Sequence, residues 1–147
     1  MAETKKLSDV RAENFDAVFY PGGHGPLWDL TNDENSIHLI QEFWISKKPV
    51  AAVCHAPTVL LQVFDANEQP LLANKNVTGF SNSEEAASKL TEVVPFLLED
   101  ELKSKGAMYS NKEDWAEHVV VDGNLITGQN PASSKEVANQ LLLLLKN

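Results

Sequence analysis

Three short stretches of this 147-residue chain gather the residue types that do chemistry. The first is Val50-Ala51-Ala52-Val53-Cys54-His55-Ala56-Pro57, an apolar run that ends at the chain's single cysteine and passes directly into a histidine. A buried strand turning sharply into a helix at Cys54 would hold the thiol clear of a sheet's carboxyl edge, beside backbone N–H groups and a helix dipole's positive end. Such surroundings, with His55 adjacent, favour a thiolate, so the expected pKa is low and alkylation fast. The other reading makes Cys54 a small buried hydrophobe. The second stretch is Pro21-Gly22-Gly23-His24-Gly25-Pro26. Its glycines let backbone N–H groups approach a phosphate or a developing oxyanion, although neither GxGxxG nor a Walker loop is present, and a plain turn is the alternative. The third is Ser81-Asn82-Ser83-Glu84-Glu85, whose carboxylates either face the same sheet edge as Cys54 or sit solvated at a helix start.

The flanking patterns supply elements to position these residues. Phe15 to Tyr20 is rich in aromatic and β-branched residues and reads as a strand stopped by the glycine turn. Thr31 and Glu34 have capping-box spacing, and Ile37, Ile40, Phe43 and Trp44 recur at helical spacing up to Lys47-Lys48-Pro49, where cations and proline suit a helix end. His38 is expected on that helix's surface. Val50 to Val53 is wholly apolar, as a parallel strand covered on both faces would be. Val59, Leu60 and Val63 predict a short helix, Val77 to Phe80 a third strand, and Phe96 to Lys105 a helix opened by Pro95, ended by Gly106 and solvated along Glu99-Asp100-Glu101. Val119 to Val121, a turn at Asp122-Gly123, and Leu125 to Thr127 predict an antiparallel hairpin. Ser133 and Glu136 repeat the capping-box spacing ahead of a final helix with Val137, Leu141, Leu144 and Leu145 on one stripe. The strand–helix alternation predicts an α/β layer fold in one domain, 1–147.

Composition narrows the function classes. A formal charge of −9 argues against a nucleic-acid surface, and no apolar run reaches the roughly 20 residues of a membrane helix. One cysteine excludes an internal disulfide, and the absence of a secretory pattern makes a reducing cytoplasm the simplest address. His24, His38, His55 and His118 show no HExxH or CxxC spacing, so no metal is expected.

PGGHGPLWDL at 21–30, AAVCHAP at 51–57, VTGFSNSEE at 77–85, VPFLLEDEL at 94–102 and HVVVDGNLITGQNPASS at 118–134 together resemble the PfpI superfamily. Within it the chain most resembles the glyoxalase III and stress-chaperone branch. The resemblance runs from Phe15 onward and implies a flavodoxin-like, class I glutamine amidotransferase-like three-layer α/β sandwich, with a mostly parallel sheet and one antiparallel hairpin. It further implies Cys54 as nucleophile, His55 as acid/base, and Glu85 as the carboxylate orienting His55, with Glu84 the alternative. Gly22 and Gly23 match the family's oxyanion-binding turn, the amide of His55 would be a second donor, and His24 resembles a pocket residue. Family members carry further strands ahead of the equivalent of Phe15, with a glutamate that hydrogen-bonds the nucleophile. This chain therefore reads as N-terminally truncated, and its open edge is expected to pair with another copy or with the missing segment.

By the same resemblance the expected activity is cofactor-independent conversion of methylglyoxal to lactate, or the related deglycase reaction, on a small aldehyde. A holdase-like chaperone or non-catalytic remnant is the rival class, and amidase or peptidase action a third.

Overall fold

The computed structural model of the protein describes residues 3–146. Its centre is a four-stranded sheet in the order β1 (Val18–Tyr20), β2 (Val50–Val53), β6 (Leu125–Gly128) and β5 (Val119–Asp122). β1, β2 and β6 run parallel, and β5 pairs antiparallel with β6 through a tight turn. The turn residues are Gly123 and Asn124, one position later than the sequence suggested, because Asp122 still pairs with Leu125. All four residues of β2 are fully buried, as its unbroken apolar run requires when helical layers cover both sheet faces. Helix α5 (Ser134–Leu144) packs on β2 and β6, while α2 (Glu34–Ile45) packs on β2 and on the 3₁₀ turn Ala56–Leu60. The result is the flavodoxin-like arrangement, mostly parallel with one antiparallel pair.

Helix α2 buries Ser36, Leu39, Ile40 and Phe43 on one face. Its cap differs from expectation. Asp33, not Thr31, accepts the Ser36 N–H at 2.7 Å. The Thr31 hydroxyl is instead committed to the Pro26 carbonyl and, at 2.6 Å, to the Thr58 hydroxyl, which ties α1 (Pro26–Asp29) to the turn following Cys54. Lys48, expected to serve the helix end, reaches the carbonyls of Ala12 and Phe15. With the Phe15 carbonyl engaged by an ammonium, β1 starts only at Val18 and the lead-in forms two 3₁₀ turns, Leu7–Asp9 and Ala12–Asn14.

The third expected strand is shorter and lies elsewhere. β3 (Asn76–Val77) pairs in parallel with β4 (Met108–Tyr109) as a separate ribbon beside β5. It stops at Val77 because Thr78 N–H is taken by the Thr127 hydroxyl and Phe80 N–H by the Cys54 carbonyl, both at 2.9 Å. Asp122 holds the ribbon, accepting from the Asn76 backbone and from Lys75. The helix expected over Phe96–Lys105 is α4 (Leu98–Ser104), ended by Gly106 at φ +82°. Its acidic face is only partly solvated, since Glu99 accepts from Asn82 N–H and Lys103. Ser133 does not cap α5 with its side chain. That hydroxyl accepts from His118 N–H and donates to Asn130, and Glu136 serves Asn139 and Gln140. Among the described residues no helix is long and apolar enough to cross a membrane.

The reassigned cap makes a direct prediction. Asp33→Ala should lower stability by about 1 kcal/mol, and Glu34→Ala by less than about 0.5 kcal/mol, in urea unfolding. The reverse order would restore the Thr31/Glu34 box.

Candidate active site

β1 and β2 end side by side, so the Gly22-Gly23 turn and Cys54 emerge at the same carboxyl edge of the sheet. Cys54 has φ +65°, a left-handed conformation that a side-chain-bearing residue adopts at a cost of order 1–3 kcal/mol, and the elbow it makes swings the thiol out of the strand line. Two hydrogen bonds hold it there, Cys54 N–H donating to the Gly128 carbonyl and Phe80 N–H donating to the Cys54 carbonyl, before the chain enters the buried turn 56–60. Gly22, at φ +104°, lies against this elbow. A Cβ there would meet the Val53 carbonyl oxygen at 2.8 Å and Cys54 Cβ at 3.1 Å, so only glycine fits.

Six residues singled out in the sequence converge on this point. Cys54 Sγ lies 3.4 Å from His55 Nδ1, and His55 Nε2 lies 2.5 Å from Glu85 Oε2. His24 Nε2 lies 3.1 Å from the other oxygen, Glu85 Oε1. A carboxylate only accepts, so both imidazoles donate from Nε2. His55 Nδ1 is then a lone pair facing the thiol. The backbone amides of Gly23 and His55 lie near enough to the sulfur to oppose the rise in its pKa. His55 is sealed from solvent, whereas the His24 side chain is 36% exposed. The two rings lie close and tilted by 35°, with centroids 3.9 Å apart.

The electrostatics depart from expectation at the sulfur. Burial pushes the Cys54 thiol up to about 11, and the nearby carboxylates Glu84 and Glu85 add to this against the opposing amide donors. Burial likewise pushes the His55 imidazole below its usual range, although Glu85 pulls the other way. The resting pair is thus neutral thiol and neutral imidazole, since an ion pair sealed from water is costly. The helix-dipole argument fails for lack of a helix: the segment after Cys54 is a short 3₁₀ turn with a weak dipole.

Glu85, rather than Glu84, is the carboxylate on His55. Both are buried in the first turn of α3 (Asn82–Ala87). Glu84 closes a capping box with Ser81 and also accepts from Trp115 N–H and Asn130 Nδ2, each at 2.8 Å. Sequence reading weighed Glu84 only as the alternative partner of His55, not as this anchor, and gave no role in the site to Phe80 or Trp115. Phe80 stacks on His55 at 4.2 Å between centroids, and the half-exposed Trp115 meets Phe80 edge-on at 5.6 Å. The Ser81-x-x-Glu84 spacing carried the signal for the anchor; nothing local marks the aromatic wall. His38 is exposed on α2, away from these groups. His24, His55 and Glu85 offer ligand atoms all within 4.8 Å, a donor set with the chemistry of a divalent-metal site, assembled from three distant stretches that no spacing motif joins. A metal there would have to displace both Nε2 protons now given to Glu85.

Comparison with known proteins adds context to this geometry. The DJ-1/PfpI family matches residues 1–144. The chain is 33% identical over 139 residues to a glutamine amidotransferase-like class 1 domain-containing protein 1 from Xenopus laevis, covering 95% of this chain and 61% of that protein. It is 30% identical over 153 residues to the glutathione-independent glyoxalase HSP31 of Saccharomyces cerevisiae, covering 100% of this chain and 65% of that protein. Among solved structures, glyoxalase III from Candida albicans superposes with a TM-score of 0.88 at 27% identity, over 93% of this chain and 60% of that one. The chain spans less than two thirds of each of these three proteins.

Thiolate absorbance near 240 nm, corrected with Cys54→Ser, should titrate with a midpoint near 11. Below that pH the group is the thiol, so alkylation by iodoacetamide should be slower than that of a free model thiol at pH 7 and rise as pH increases. A midpoint below 8 would instead establish the resting ion pair.

Proposed function

Since the chain belongs to the DJ-1/PfpI family, we propose that it is a cofactor-independent enzyme of the glyoxalase III type, turning methylglyoxal into lactate through a covalent bond to Cys54. The observation that carries this reading is the hydrogen-bonded series from Cys54 Sγ through His55 to Glu85, with the main-chain amides of Gly23 and His55 near the sulfur. His55 Nδ1 is placed to take the thiol proton as the sulfur adds to an aldehyde carbon, and then to hand it to the new oxygen. The amides of Gly23 and His55, with the backbone freedom of Gly22, supply donors for that oxygen while it is charged. Glu85 holds the His55 tautomer that makes the first transfer possible. Two relatives named as glyoxalases support the assignment. A deglycase acting on aldehyde adducts of amines would begin with the same addition.

A second reading, a holdase-like chaperone, draws on exposed apolar surface at Trp28 and Trp115, which are 56% and 49% exposed. Lactate formation from methylglyoxal separates the two. Cys54→Ser should abolish it, by about 10³-fold or more, and Glu85→Gln should lower it by about 10²–10⁴-fold through the wrong His55 tautomer. Suppression of a client's aggregation should be indifferent to both changes if that activity is separate. Activity unchanged in Cys54→Ser would remove the covalent mechanism.

For partners we propose that the outer edge of β1, which has no strand neighbour among the described residues, is covered by a second copy or by a companion segment of chain, in a reducing compartment. Light scattering at micromolar concentration should find a dimer or a complex; a monodisperse monomer would count against the pairing.

A further inference from the structure

One carboxylate here serves two imidazoles, and a single acid/base uses only one of them. His55 is sealed and faces the sulfur, whereas His24 is open to solvent on one side. With Nε2 of His24 held by Glu85 Oε1, its Nδ1 has no protein partner among the described residues and is the nitrogen left for a substrate. The ring lies only 3.9 Å from that of His55, centroid to centroid, so both nitrogens can serve adjacent atoms of one small molecule. Gly22-Gly23, the turn that brings an amide to the sulfur, is also the turn that delivers His24.

The bookkeeping of the reaction calls for two proton carriers. Once Cys54 sulfur has added to the aldehyde of a 2-oxoaldehyde, C1 bears a hydrogen, a hydroxyl and the sulfur, and C2 bears a carbonyl. Reaching the thioester of the 2-hydroxy acid moves one proton from C1 to C2 and one from O1 to O2, with no net oxidation or reduction. At the midpoint, where C1 and C2 share a double bond, one imidazole already holds the C1 proton and O2 must gain a proton before O1 gives one up, so a second carrier is needed.

We propose that His24 is a second catalytic acid/base, carrying the oxygen-to-oxygen proton while His55 carries the carbon-to-carbon one. This rests on the glyoxalase reading above. His24 enters this step as the imidazolium, with Nε2–H on Glu85 and Nδ1–H toward the substrate. As His55 Nδ1 removes the C1 proton, electrons move through the new C1–C2 double bond to O2, which takes the His24 Nδ1 proton. His55 then returns its proton to C2, and His24 recovers one from O1 as the C1 carbonyl forms. Water adds to that carbonyl, the carbon–sulfur bond breaks, and Cys54 leaves as the thiol with the free acid. Glu85 faces both rings throughout and balances whichever is charged. The inference also defines the substrate class: a carbonyl compound with a second carbonyl oxygen on the neighbouring carbon, within reach of both rings.

The test measures two steps in the same protein, lactate formation and the reversible masking of the Cys54 thiol by methylglyoxal against a thiol reagent. His24→Gln and His24→Asn should lower lactate formation by about 10²-fold while masking keeps its amplitude, and added imidazole should restore His24→Gly by tenfold or more. Lactate formation within twofold of the unmodified chain in either His24→Gln or His24→Asn would overturn the proposal. Loss of masking together with turnover would also overturn it, making His24 a prop for Glu85. No masking and no lactate in the unmodified chain would defeat the glyoxalase reading itself, and the role of His24 with it. Masking by a simple monoaldehyde, with no turnover, is expected.

Discussion

Two neighbouring carboxylates, Glu84 and Glu85, are taken out of water at the start of a six-residue helix, and much of the site edge is arranged to satisfy them. A buried carboxylate without donors costs several kcal/mol, so each needs partners brought from elsewhere in the chain. Glu84 collects Ser81, Trp115 and Asn130; Glu85 collects His55 and His24. These partners lie on five different stretches: both glycine-bearing turns after β1 and β6, the elbow after β2, the start of α3, and the loop before β5. Satisfying two charges therefore fixes how the loops at the carboxyl edge meet. The division of labour follows from chemistry. Glu84 takes backbone and amide donors, which cannot titrate, and is purely a clasp. Glu85 takes imidazoles, which can, and so couples structure to proton movement.

The sequence made the strongly patterned parts of this arrangement readable. β2 was visible because four apolar residues in a row end at a cysteine, and α2 because its buried residues recur at helical spacing. Glu85 could be chosen over Glu84 only through family resemblance, since both occupy the same helix turn and only the three-dimensional path of Phe80 and Ser81 decides which one meets His55. The misplaced caps share a cause. Thr31 and Ser133 have the right spacing to Glu34 and Glu136, but each hydroxyl has a better offer from a distant residue, Thr58 or His118. Local spacing cannot see such competition. β3 failed in the same way: Thr127 and the Cys54 carbonyl take the donors that a longer strand would have used.

The raised thiol pKa is the other consequence that pattern could not supply. A cysteine at a turn between strand and helix suggests a thiolate if a long helix follows, whereas Ala56-Pro57 opens a 3₁₀ turn whose five residues are all buried. Close packing removes water from the sulfur more effectively than a short turn's dipole can compensate. The left-handed φ of Cys54 and the pressed contact with Gly22 belong to the same bargain: the thiol sits beside main-chain amides at a position only 8% exposed.

That placement changes what activates the nucleophile. In the proposed reaction, with both Cys54 and His55 neutral at rest, the sulfur would not wait as an anion; its proton would leave as a bond to carbon forms, and charge would appear first on the substrate oxygen. In that proposed reaction the amides of Gly23 and His55, which lie near the sulfur, would serve the oxygen as it becomes charged, so stabilisation would grow along the reaction instead of being spent on the resting state. A resting thiolate would already have consumed it. The same logic protects the group. In that reaction an alkylating reagent with no oxygen to take up the thiol's proton would meet an un-ionised thiol, whereas a carbonyl compound would bring the acceptor that the site lacks.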